Sequence, residues 1–96
     1  MSYSNTKVNE KMNKACDQAL EAFRKLNDPK FNQIESELEF VIGSYNYDNI
    51  PTGLHLVGKK ALKKLKAVKE EKPRAVTKKC LDDVYKAVMN YEEVYF

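Results

Sequence analysis

The sequence predicts an all-α fold, a four-helix up-and-down bundle forming one domain over residues 1–96. Apolar residues recur at three- and four-residue steps through most of the chain, and no useful stretch alternates with period two. The connections are short, roughly two to eight residues, which favours antiparallel neighbours. Hydrophobic residues make up 43% and charged residues 32%, with three glycines and three prolines, a composition that suits a globular domain with one modest core.

The first helix is expected over about residues 6–26. Val8, Met12, Ala15, Ala19, Phe23 and Leu26 form one stripe, while Lys11, Lys14, Gln18, Glu21 and Lys25 face away. Asn27-Asp28-Pro29 stops it and starts the second, about 29–43, because proline fits a first helical turn. That helix uses Phe31, Ile34, Leu38, Val41 and Ile42, with Gly43 as its stop. Ser44-Tyr45-Asn46-Tyr47-Asp48-Asn49-Ile50-Pro51 reads as a loop of turn formers.

The third helix, about 52–71, runs on Leu54, Val57, Ala61, Leu65 and Val68, with Lys72-Pro73 as its break. Thr77 is a good N-cap for the fourth, about 77–94, and Val76 and Leu81 stand at hydrophobic-staple spacing. This last helix continues through Val84, Val88, Tyr91 and Tyr95.

Gly53-Leu54-His55-Leu56-Val57-Gly58-Lys59-Lys60 has the outline of a phosphate-cradling loop. Such a loop needs a preceding strand, a Ser or Thr after the lysine, and non-helical backbone with its N–H groups turned inward. Here a polar turn precedes, Lys60 occupies the Ser/Thr position, and the apolar stripe of the third helix runs straight through. No nucleotide site is expected. Gly53 eases the helix entry and Gly58 lets a neighbouring helix come close.

No apolar run approaches the roughly 18 residues of a membrane span. The opening MSYSNTKVNEKMNK lacks the apolar stretch of a signal peptide. A cytoplasmic protein without a membrane partner is the expectation. Cys16 and Cys80 both fall on apolar faces and are expected as free buried thiols. Neither the cysteines nor any histidine cluster has metal-ligand spacing, so no metal or cofactor is expected.

Charge is unevenly spread beneath a net +3. Residues 59–79 hold ten basic groups against Glu70 and Glu71, while residues 80–96 carry a balance of −3. Lys59–Lys63 and Lys60–Lys64 are like-charge pairs one turn apart, and Lys66–Glu70 is the one clear compensating pair. A solvated face is the plain explanation, with Glu35, Glu37 and Glu39 of the second helix as internal counter-charges. The alternative is an external polyanion held by Lys59, Lys60, Lys63, Lys66, Lys72, Arg74, Lys78 and Lys79. Two arginines and no base-reading motif count against RNA or DNA.

Some apolar residues do not fit a single core. Phe40 lies almost opposite the second helix's stripe, and Tyr85 and Met89 lie well round from Val84 and Val88. A helix between two neighbours explains them without function; a protein interface explains them equally. Tyr45 and Tyr47 either cover the end of the core or present rings to a partner. The single histidine, His55, is expected near Asp48, with no nucleophile or third ligand, and Glu35 and Glu39 have no base beside them. No enzymatic role is expected.

Ile42-Gly43-Ser44-Tyr45-Asn46-Tyr47-Asp48-Asn49-Ile50-Pro51-Thr52-Gly53-Leu54 and the later Lys72-Pro73-Arg74 turn resemble a group of small uncharacterised bacterial proteins sharing a G-S-Y-x-x-D-x-x-P-x-G-L pattern. The resemblance covers about residues 30–90. It implies a short helical protein and carries over no catalytic or binding residue. The sequence as a whole points to a non-catalytic helical interaction module that binds a protein partner or itself, as a homodimer through Phe40 or the fourth helix. Nonspecific polyanion binding through the basic third helix is the alternative.

Overall fold

Asn5 caps the first helix: its side chain accepts the Val8 N–H at 3.2 Å at the start of α1, Thr6–Leu26. The structure, a computed structural model, describes residues 5–96. After α1 come a single 3₁₀ turn at Pro29–Phe31, then α2 (Asn32–Asp48), α3 (Thr52–Glu71) and α4 (Lys78–Tyr95). Thr77 caps α4 by accepting the Cys80 N–H at 3.1 Å, and Val76 is buried beneath it. The expected all-α four-helix bundle is present, and α1 and α3 keep their expected bounds.

The second helix departs from expectation at both ends. The 3₁₀ turn precedes it because Asp28 accepts the Lys30 N–H at 3.0 Å and holds the Pro29 turn tight. Gly43 does not stop it. The helix runs on through Ser44-Tyr45-Asn46-Tyr47-Asp48, residues expected as loop, and ends at Asn49 in the left-handed region, φ 61°. Packing explains the extension. Ile34, Leu38, Val41 and Tyr45 continue one buried stripe, so one more helical turn buries Tyr45. Asparagine tolerates the left-handed cap, as Asn27 does after α1 with φ 50°.

Sequential helices run antiparallel. Lys60 reaches back to Glu37 at 3.0 Å and Lys59 reaches forward to Glu92 at 2.8 Å. α1 and α3 also pack on each other directly, with α2 and α4 on the two flanks, which flattens the body to 40 × 23 × 16 Å. Gly58 makes the central approach close: a Cβ there would lie 2.8 Å from Met12 Cε and 3.4 Å from Cys16 Sγ. The core between them holds Met12, Phe23, Leu38, Leu54, Leu65, Val84 and Tyr91. Both cysteines are free thiols; Cys16 is buried and Cys80 is partly so, a correction to the expectation that both are buried.

Candidate interaction surface

The inward stripe of α3 leaves one large apolar residue outside it. Leu56 is 59% exposed, while Leu54 and Val57 on either side are buried. Across the seam, Gly53 admits α2 so closely that a Cβ would sit 3.0 Å from Val41 Cγ1. Val41, Gly53, Leu56 and Val57 thereby floor a groove of about 470 Å³, bordered by the lysines one and two turns further along α3. Sequence reasoning passed over Leu56. The rule that singled out Phe40, an apolar residue off its helix's stripe, applies to it equally.

The basic residues divide by partner. Lys59 pairs with Glu92, Lys60 with Glu37, and Lys79 with Asp83 at 3.5 Å. Glu39 is engaged by Arg24 instead of a lysine. Lys66 is not held by Glu70; its ammonium lies 5.2 Å from the Tyr85 ring centroid. Lys69 donates to the Pro73 and Val76 carbonyls, each at 2.8 Å, closing the α3–α4 turn. Among the described residues Lys63, Lys64, Lys72, Arg74 and Lys78 have no carboxylate within 4.0 Å. Neutralisation within the fold is therefore partial.

The aromatic candidates also separate. Phe40 is 73% and Tyr47 91% exposed, and Tyr85 and Met89 are about half exposed. Tyr45 is only 7% exposed and belongs to the core, so the structure corrects its assignment as a surface contact. These residues do not form one patch. Phe40 and Tyr47 lie on α2, whereas Tyr85 and Met89 lie on α4, on the other flank of α3.

His55 does not pair with Asp48, whose carboxylate accepts the Ile50 N–H at 2.9 Å. It is buried, 5% exposed, with Nε2 2.8 Å from Glu92 Oε2. The same carboxylate oxygen accepts from Lys59. Hydrogen bonds from Lys59 and then His55 hold the Glu92 carboxyl below its ordinary range. Among the described residues no three His, Cys, Asp or Glu side chains converge as metal ligands. A wider polar cleft of about 760 Å³ lies between α1 and α2, beside Asn9, Asn13, Asn46 and Asn49. Residues 53–60 are helical, so their backbone forms no phosphate cradle.

Comparison with family models, curated proteins and solved structures gives no match, and nothing in them bears on the loop resemblance. Among the described residues no helix is long and apolar enough to cross a membrane.

Proposed function

We propose that the protein is a non-catalytic helical interaction module of the cytoplasm that binds a protein partner or a second copy of itself. The observation that carries this reading is the outer surface of α2 and α3, where Leu56 lines an apolar groove and Phe40 stands exposed on α2. Exposed large apolar groups next to a shaped floor are characteristic of protein interfaces. Sedimentation velocity over a wide concentration range tests self-association. Concentration-dependent dimers that disappear in Phe40→Ser, or in Met89→Glu on α4, support a homodimer.

A second reading rests on the basic groups without internal carboxylates, Lys63, Lys64, Lys72, Arg74 and Lys78. They would serve a nonspecific RNA or DNA site. Fluorescence anisotropy with mixed-sequence RNA and DNA at two salt concentrations tests it. Micromolar binding with a log–log salt slope of roughly −3 to −5, abolished by Lys63→Glu with Lys64→Glu, would replace the protein-partner reading. Those two lysines are the better pair to change, since Lys59 is engaged by Glu92.

A further inference from the structure

We infer that the α2–α3 groove is the docking site for an acidic amphipathic helix of a partner protein. This inference rests on the interaction-module reading and assigns the class of partner. The floor of Val41, Gly53, Leu56 and Val57 is aliphatic and offers no hydrogen-bonding group of its own side chains. It suits leucine-like anchors. Lys59, Lys60 and Lys63 border it and follow Leu56 at three, four and seven residues, the spacing of one face over two helical turns. A ligand that fills the floor therefore meets positive charge along a strip about 10 Å long.

Three occupants compete, and charge and backbone chemistry separate them. A second copy seated through this groove about a two-fold axis would bring the same lysines to face one another. A nucleic acid would find the cations but gain nothing from an aliphatic floor that contains no aromatic ring for a base. An extended peptide needs a free strand edge, whereas α2 and α3 use their backbone groups within the helices. A helix with leucines on one face and glutamates flanking them satisfies both floor and rim. Lys63 is without an internal carboxylate, and the exposed Lys59 and Lys60 pairs are of the weak surface kind that exchange partners readily.

The test is a titration of isotope-labelled protein, followed by amide chemical shifts, with a synthetic helix of about 18 residues. Its leucines recur at helical spacing and glutamates flank them. Controls are a scrambled peptide, the same helix with lysines for the glutamates, and a mixed-sequence RNA. The expected result is saturable shifts centred on Val41, Gly53, Leu56 and Val57, with a Kd on the order of 10–100 µM. Leu56→Gln, a change at an exposed position, weakens binding about tenfold, and Lys60→Gln with Lys63→Gln weakens it several-fold and flattens its salt dependence. Thermal melts of both variants confirm that the fold is retained.

Equal binding of the scrambled or lysine peptide overturns the inference, as do shifts centred elsewhere or no saturation at millimolar peptide. Salt-steep RNA binding at the groove that is unaffected by Leu56→Gln overturns it in favour of nucleic acid. Sedimentation separates this outcome from failure of the broader reading. Dimers sensitive to Phe40→Ser, in a protein whose groove ignores the peptide, leave the interaction module standing and remove only this docking site.

Discussion

His55 stacks on Tyr91 with ring centroids 4.5 Å apart and an interplanar angle of 11°, while Phe96 meets the same imidazole edge-on at 5.2 Å. The stack fixes the ring so that Nε2 points at Glu92. An ionised carboxylate only accepts, so His55 presents Nε2–H to it. One charged oxygen thus joins a buried histidine to an exposed lysine across the α3–α4 seam.

Glu92→Gln is expected to destabilise the protein by about 1–2 kcal/mol at neutral pH, through loss of charged hydrogen bonds. The carboxyl titrates below its ordinary 4.5 in the folded chain, so its contribution is full above 4.5 and disappears as pH falls through the lower folded value. Thermal melts of both proteins from pH 7 to 2 should therefore converge in acid. A Tm gap that stays constant across that range would contradict the assignment.

Gly43 lies exposed within α2 with no atom within 4 Å of where a Cβ would stand, and its φ is not positive. Gly43→Ala should stabilise the fold by about 0.8–1 kcal/mol, from helix propensity alone. In a domain of this size that raises Tm by about 4–8 °C, readable by circular dichroism.

Gly58 and Gly53 respond differently to the same change. A methyl at Gly58 meets the mobile end of Met12, which can swing, and the helix-propensity gain offsets the displacement. At Gly53 it meets Val41, whose branched side chain has one favoured rotamer in a helix. Gly58→Ala is expected to be nearly neutral and Gly53→Ala to cost about 1–2 kcal/mol in urea unfolding. The reverse order would show that Met12 is held more rigidly than Val41.

The two thiols should differ in reactivity. Burial, with Asp17 adding to it, pushes the Cys16 thiol up to about 12, and its Sγ donates to the Leu54 carbonyl at 3.3 Å. Cys80 is only partly buried. A chromogenic disulfide reagent should titrate about one thiol per chain in the native protein and both in denaturant. Rapid native reaction at both would mean that the α1–α3 contact opens readily.

The periodicity of the chain made the bundle legible, because Met12, Phe23, Leu54, Leu65 and Val84 each recur on a stripe that has no other use. The end of α2 was misread because Gly43 is a strong local stop signal, and the added burial of Tyr45 outweighs it. Tyr45 nevertheless continues the spacing of Leu38 and Val41, so the correction was present in the pattern. The surface was half legible. Phe40 stands out from its stripe, but the division of the lysines does not, because whether Lys60 finds Glu37 depends on the register of two helices. Periodicity gives the face of a helix and leaves its axial offset open. The His55–Glu92 pair, 37 residues apart, was hidden for the same reason.

At the end of the bundle where α1 begins and α4 stops, the Tyr95 hydroxyl accepts the Asn5 N–H at 3.0 Å and donates to Asn9 Oδ1 at 2.8 Å. This clasp joins positions 90 residues apart. Closing so long a loop costs about 2 kcal/mol more than closing one of ten residues, so the order of assembly matters. Neighbouring helices close shorter loops and are expected to dock first, with the α1–α4 seam completed after the rate-limiting barrier. Tyr95→Phe is then expected to leave the refolding arm of a chevron unchanged and to raise the unfolding rate in water, making this clasp a latch on the lifetime of the native state.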